Sequence, residues 1–547
     1  MNTILAFSVV ALCTIQTILC DCTQVRTEQG WVQGKSQEAV CHDFHYLSFE
    51  GIPYAKSPTG SLRFKAPEEP DSWEGTRDAT APGPMCPQYH PLSDKTYLGS
   101  EDCLTCDVYT RNVTKKAPVF FFLSGFAYFF DQEVTGVYGP DFLVKDIVVV
   151  RCNHRKDVLG FLNLGIKDVA GNGGLKDNIA ALRWVKKNIA AFGGDPDRVV
   201  LAGLSSGSAA VSHLLYSPMA SGLFEKAFMM SGIHSCDPVY PDAVMEKSYE
   251  LAARLGIRST DGDEVLQQLQ EIPYEQFINV SYSFALEEPT NVLFKKMATF
   301  VPCVEEDYGQ ERVIIEDAME SLYHAPMNNV KLMMGYSENE ALLFIDQYYD
   351  YIIDLYSKRK ELCVPYKILI TSPSDVYEKA DAIKKYYFQN KDICRENMKE
   401  FIQMNSFMNM IFEVIRFASK VSPCMETYLF EFNSISDRNI YGREGLKYGL
   451  EGTAHADLIG YLFPATTLNM TLDMKSREHD LIVQFLDPLK NFIHTGNPSS
   501  NADFTWHRYT PDKPYYMEFT DTTTVKEDPK GDEYRFWLNE IYDGYLH

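Results

Sequence analysis

Residues 199–213 read VVLAGLSSGSAAVSH and set Ser205 between Gly203 and Gly207, the pattern G-x-S-x-G. A serine hydroxyl is a poor nucleophile at neutral pH. It attacks an acyl carbon only when a histidine takes its proton and a carboxylate fixes that histidine's tautomer and steadies its cation. Val199–Ala202 is a short apolar run of the kind a buried parallel strand shows, and Ser206–Leu215 is small and apolar enough to be a helix. Strand, serine, helix is a nucleophile elbow, in which a strained turn holds Oγ above the sheet. The bland reading of the same residues is an ordinary strand-to-helix turn. Further along the chain, the strand-like VKLMMGY (330–336) runs into SENEALLF, offering Glu338 and Glu340 as acids. The strand-like TYLFEF (427–432) precedes EGTAHADLIGYLF, which contains His455. The order Ser, acid, His, the last two each after a strand, is one in which the serine's partners can follow it along the chain.

These residues need a sheet beneath them. PVFFFL (118–123) and IVVVRC (147–152) read as strands, and LKDNIAALRWVKKNIAAF (175–192) has helical spacing. GGDPDR (193–198) reads as the stop before the strand that leads to Ser205. Strand, helix, strand predicts the α/β class, with a large, mostly parallel central sheet and helices on both faces. No repeat or linker divides the chain, so residues 21–547 are expected to form one domain. Helical excursions rich in Tyr, Met and charge are expected at about 235–330 and 345–450, roofing a pocket.

The chain has 547 residues, 45% hydrophobic, with a net charge of −24, which argues against nucleic acid or an anionic membrane surface as partner. Residues 1–20 carry the apolar run ILAFSVVALCTIQTILC, read as a signal peptide although no basic residue precedes it. No later run is long and apolar enough to span a bilayer, and the C-terminal DGYLH carries no anchor signal. The expectation is a soluble, secreted (extracellular) protein without a membrane anchor. Sequons at Asn112, Asn279 and Asn469 fit that route as glycosylation sites; Asn497 is followed by proline and is excluded. Two of the thirteen cysteines fall in the leader, leaving an odd number, and none shows the paired spacing of a zinc site.

Longer stretches carry a resemblance. FEGIPYAKSPTGSLRFKAP (49–67), EDCLTCDVYT (101–110), NHRKDVLGFLNLG (153–165), GNGGLKDNIAALRWVKKNIAAFGGDPDRV (171–199) and SPMASGLFEKAFMMSG (217–232) run collinearly, with further agreement at 330–344 and 450–463. Together they resemble the type-B carboxylesterases, the carboxylesterase/cholinesterase family, and most of all its secreted insect-type members. The resemblance implies an α/β-hydrolase fold and a serine esterase that needs no metal or cofactor, acting on a small apolar ester. It implies Ser205 as nucleophile, His455 in G-T-A-H-A-D as general base and Glu340 as the acid, with Glu338 a surface charge. It also implies a Cys86–Cys103 disulfide, worth about 3 kcal/mol by loop closure, and structural ion pairs Arg63–Glu101 and Arg155–Asp177. A Cys22–Cys41 bridge is a further candidate.

The pattern breaks opposite the serine. The family's oxyanion loop, H-G-G-G or H-G-G-A, is here Ser124, Gly125, Phe126, Ala127. The resemblance makes the backbone N–H groups of Phe126, Ala127 and Ser206 the oxyanion donors. Phe126 keeps an N–H, but a position that needs φ > 0 would cost a bulky residue roughly 1–2 kcal/mol. Its ring, beside Tyr128, Phe129 and Phe130, is expected to fill the acyl pocket. Loss of one donor costs on the order of 3 kcal/mol of transition-state stabilisation. The elbow departs as well: Leu204 and Ser206 stand where the family writes Glu and Ala. No tryptophan lies between Cys86 and Cys103, so choline esters are not expected substrates. The expected activity is secreted carboxylic-ester hydrolysis through an acyl-enzyme, lowered or redirected by the altered loop. The alternative is an esterase-like protein that binds and sequesters an apolar ester. A non-catalytic adhesion role fits least, since all three triad positions are filled.

Overall fold

Twelve strands form the main sheet: β1 (Lys35–Glu38), β2 (His45–Pro53), β3 (Thr105–Thr110), β4 (Ala117–Leu123), β5 (Val148–Cys152), β6 (Gly194–Leu204), β7 (Lys226–Met230), β8 (Lys331–Ser337), β9 (Thr427–Phe432), β10 (Tyr509–Thr510), β11 (Lys513–Phe519) and β12 (Thr523–Glu527). The computed structural model describes residues 23–89, 97–130, 137–287, 295–372, 374–468, 470, 472–500 and 504–545. The expected leader at 1–20, Cys22 and the sequon at Asn469 lie outside the described residues. Across the sheet the order is β10-β11-β9-β8-β7-β6-β4-β5-β3-β2-β1, with β12 on β11. Every pairing from β11 through to β5 is parallel. The two margins are antiparallel.

A strand buried on both faces reads as an unbroken apolar run, and β4, APVFFFL, is buried at every residue. Alternation along it separates two cores. Val119, Phe121 and Leu123 face one, with Ile179, Leu182 and Val185 of α1 (Gly173–Asn188) and Val211 and Leu214 of α2 (Ser206–Tyr216). Phe120 and Phe122 face the other, with Leu481, Phe485, Leu489 and Phe492 of α3 (Arg477–Thr495). Helices thus cover both faces, as the α/β reading requires. The segment expected as a turn at 193–198 is partly strand. β6 begins at Gly194, with its register against β4 shifting between Gly194 and Val199, so the helix stop and the strand start overlap.

The excursions carry further helices, among them Val244–Arg254, Gly262–Glu271 and Tyr274–Glu287 before β8, and Val376–Phe388, Met398–Ser406 and Phe412–Val421 between β8 and β9. Among the described residues no helix is long and apolar enough to cross a membrane.

Cys86 and Cys103 are joined, and a second bridge links Cys106 to Cys152. The latter pair stand directly opposite each other in the antiparallel β3–β5 ladder, where facing side chains lie close enough to bond. Opening that loop of 46 residues by changing both cysteines to alanine is expected to lower unfolding free energy by about 4 kcal/mol on chain entropy. A urea titration measures it; an unchanged midpoint would show that the bridge stabilises nothing.

Candidate active site

The elbow is strained where the chemistry needs it. Ser205 adopts φ 57°, ψ −124°, between the end of β6 and the start of α2. A side chain held in that region costs of order 1–3 kcal/mol and persists only if its surroundings fix it. Here the Ser205 N–H donates to Met230 O at 2.8 Å, and Ser205 O accepts the Ala209 N–H at 2.9 Å. The motif glycines let the turn close. A Cβ on Gly203 would lie 2.3 Å from Gly207 O, and one on Gly207 would lie 2.2 Å from Leu123 O. Leu204, where the family has an acid, is buried in the core beneath α3 and brings no charge to the turn.

Glu340 follows β8 and His455 follows β9, so with Ser205 and the loop after β4 all the candidate groups gather at the carboxyl ends of parallel strands, where open α/β sheets bind ligands. His455 Nδ1 lies 2.5 Å from Glu340 Oε2. Glu340 Oε1 accepts the Ser337 N–H at 2.7 Å, and Glu340 is fully buried. The His455 N–H donates to Glu340 O at 3.2 Å, so ring and backbone are held together. Glu338 is turned elsewhere: its carboxylate is half-exposed and 3.6 Å from Lys530 Nζ. Asp457 braces the histidine loop by accepting the N–H groups of Tyr441 at 2.8 Å and Ala454 at 2.7 Å, together with that of Gly442. Burial pushes its carboxyl up to about 6 against those hydrogen bonds. Sequence reasoning did not single out Asp457, although its place two residues after His455 was a signal.

Three consecutive non-glycine residues of the loop after β4 have positive φ: Phe126 at 134°, Ala127 at 53° and Tyr128 at 62°. The strain anticipated at Phe126 is therefore present. Its ring stacks on Phe130, centroids 4.5 Å apart. The Phe126 O accepts the Phe129 N–H at 2.9 Å, and Tyr128 O accepts the N–H of buried Asp157 at 2.7 Å. Asp157 in turn accepts the Ser281 hydroxyl at 2.7 Å, and burial pushes its carboxyl up to about 7. The Phe126 N–H donates to Ser206 Oγ at 3.0 Å. The N–H read from the sequence as an oxyanion donor is thus met here by the Ser206 side chain. Spacing could not reveal that contact, since 80 residues separate its partners.

Ser205, Ser206, Phe126, Ala127 and His455 line one cavity, closed over by Val239, Met297, Leu343, Phe344 and Met410. Its volume is about 20 Å³, room for about one water. A serine on a strained turn, a histidine held by a buried carboxylate and a positive-φ loop around one mostly apolar cavity are the groups an acyl-transfer site requires. Among the described residues no three or more His, Cys, Asp or Glu side chains come together as metal ligands. Away from the cavity, Arg63 forks onto Glu101 at 2.5 and 2.6 Å, and Arg155 onto Asp177 at 2.8 and 2.7 Å, as structural pairs. Asn112 and Asn279 are exposed. Cys41 contacts Asp43 Oδ1 through its thiol.

The model of the Carboxylesterase family matches residues 21–537. Among curated proteins, juvenile hormone esterase of Heliothis virescens is 28% identical, covering 86% of this chain and 88% of its own. Esterase B1 of Culex pipiens is 31% identical, covering 87% of this chain and 88% of its own. Among solved structures, juvenile hormone esterase from Manduca sexta, with OTFP covalently attached, superposes with a TM-score of 0.85 at 28% identity. That alignment covers 95% of this chain and 99% of that one.

Proposed function

The chain belongs to the carboxylesterase family, and from that premise we propose that it is a secreted serine carboxylic-ester hydrolase working through an acyl-enzyme. The observation that carries the mechanism is the 2.5 Å contact of His455 Nδ1 with buried Glu340, on the cavity that Ser205 lines. With Nδ1–H donating to the carboxylate, Nε2 is the basic nitrogen of the ring. Ser205 Oγ attacks the ester carbonyl carbon as its proton passes to Nε2, and the carbonyl oxygen becomes negative. That oxygen is held by the N–H groups of Ala127 and Ser206, with Phe126 acting through Ser206. Collapse breaks the bond to the alcohol oxygen, which leaves with the proton from His455. Water then attacks the acyl-enzyme by the same proton path and releases the acid.

Export is supported by the apolar residues 4–20, by exposed sequons at Asn112 and Asn279, and by two disulfides, which persist in oxidising compartments. The cavity bounds what the protein can hold. A protein that sequesters a bulky apolar ester needs room for it, and ligand pockets run to roughly 300 Å³ or more. About 20 Å³ beside Ser205 leaves no room to store such a ligand.

The test is labelling of the purified protein by a fluorophosphonate probe, alongside turnover of p-nitrophenyl acetate. Labelling with steady turnover is the expected result. Stoichiometric labelling with no turnover would favour the sequestering protein, and no labelling of folded protein would sink the esterase. Acyl selectivity has its own test in Phe126→Gly, which relieves φ 134° and removes the stacked ring. The butyrate-to-acetate ratio of kcat/KM is expected to rise by roughly 10-fold or more, the value of a methylene or two in an apolar pocket. An unchanged ratio would show that the ring does not limit the acyl group.

A further inference from the structure

The hydroxyl proton of Ser206 has no evident acceptor, and its position beside the nucleophile gives it a use. Ser206 is 3% exposed, and its Oγ accepts the Phe126 N–H at 3.0 Å. A hydroxyl that accepts one hydrogen bond still has a proton to donate. The other serines of α2 direct theirs to carbonyl oxygens, Ser208 to Gly232 O at 2.6 Å and Ser212 to Ala209 O at 2.7 Å. Among the described residues no acceptor receives the Ser206 proton. A buried hydroxyl is best matched when an acceptor reaches its proton, and the cavity that Ser206 lines is where an oxygen can do so. The cavity that Ser206 lines is otherwise mostly apolar, with Val239, Leu343, Phe344 and Met410 on its walls. The group that would enter it is the ester carbonyl.

Resting on the esterase reading and deepening it, we infer that the Ser206 side chain is itself a catalytic donor of the oxyanion hole: Phe126 N–H donates to Ser206 Oγ, and Oγ–H donates to the carbonyl oxygen as it turns negative. The hydroxyl keeps its proton throughout, so no bond is made or broken at Ser206. Donation from Phe126 polarises the O–H and strengthens its bond to an anion. Residue 206 then supplies two donors, its backbone N–H and its hydroxyl, in place of one. Positions 126 and 206 act as a unit: the Phe126 N–H works through the Ser206 hydroxyl, while the Ala127 N–H of the same loop meets the oxygen directly.

Ser206→Ala and Ser206→Thr separate the possibilities on p-nitrophenyl acetate. In Ser206→Ala, kcat is expected to fall on the order of 10²-fold with KM changed less than about threefold, the pattern of a contact made in the transition state. Affinity for a trifluoromethyl ketone, which forms a tetrahedral adduct on Ser205, should fall in parallel. Ser206→Thr, which keeps the hydroxyl, should retain most of kcat. If Ser206→Ala turns over as fast as the parent or faster, the hydroxyl merely occupies the hole and the inference is overturned. It is overturned equally if threonine fails as badly as alanine in folded protein, since packing would then explain the loss. A parent protein with no Ser205-dependent chemistry has a different signature and removes the esterase reading together with this one.

Discussion

Replacing Ser205 with alanine is expected to lower kcat for p-nitrophenyl acetate by on the order of 10⁶-fold, the scale seen when a serine hydrolase loses its nucleophile. Fluorophosphonate labelling should vanish with it. The size of the loss depends on whether another nucleophile can stand in, and the cavity offers two candidates. Cys236 lines it, but its thiol donates to Met410 Sδ at 3.6 Å and burial pushes its pKa far above the ordinary thiol range. It is therefore not a thiolate at neutral pH, and the thiolate is the attacking form. Ser206 also lines the cavity, yet its Oγ is held by the Phe126 N–H. The variant should keep its fold, because alanine at φ 57° is no worse placed than serine and the backbone bonds to Met230 and Ala209 stay. An intact thermal transition with no labelling is the expected pair of results. Residual labelling at more than a few per cent of the parent level would mean that another residue carries the chemistry.

What the sequence discloses about this site follows the range of the interactions involved. β4 is legible because a strand covered on both faces must be apolar throughout. The elbow is legible because only glycine fits where Gly203 and Gly207 meet neighbouring carbonyls. The start of β6 is misread, since GGDPDR looks like a turn while Gly194 already pairs with Ala117. The Cys106–Cys152 bridge could not be foreseen, because it depends on the register of two antiparallel strands far apart in sequence. The loop at 124–130 is a middle case. Its departure from the family pattern is plain in the letters, and a cost at Phe126 follows if φ is positive. Which way the Phe126 N–H points depends on a side chain 80 residues away, and no local propensity encodes that. The choice between Glu338 and Glu340 is similar: chain order offers both, and packing around β9 turns one to Lys530 and the other to His455.

That last distinction supports the second large effect. Glu340→Gln is expected to cost on the order of 10⁴ in kcat, the loss seen when a triad acid becomes its amide, while Glu338→Gln stays within about twofold, as for an exposed charge. Glu340 accepts twice, from the Ser337 N–H at Oε1 and from His455 at Oε2. Glutamine has the same shape but a single acceptor oxygen. If that oxygen stays on the Ser337 N–H, the amide NH₂ faces Nδ1, which must then be unprotonated. The ring proton moves to Nε2, and the histidine can no longer take one from Ser205. If the amide flips, its NH₂ opposes the Ser337 N–H inside a fully buried site, where an unmatched donor costs about 1–3 kcal/mol. That cost favours the first orientation, which leaves KM close to the parent value and places the loss in kcat and in the rate of fluorophosphonate labelling, measured by stopped reactions over a time course. Should Glu338→Gln show the large loss and Glu340→Gln the small one, the acid of the site is Glu338. The short contact between Glu340 and His455 would then be structural only.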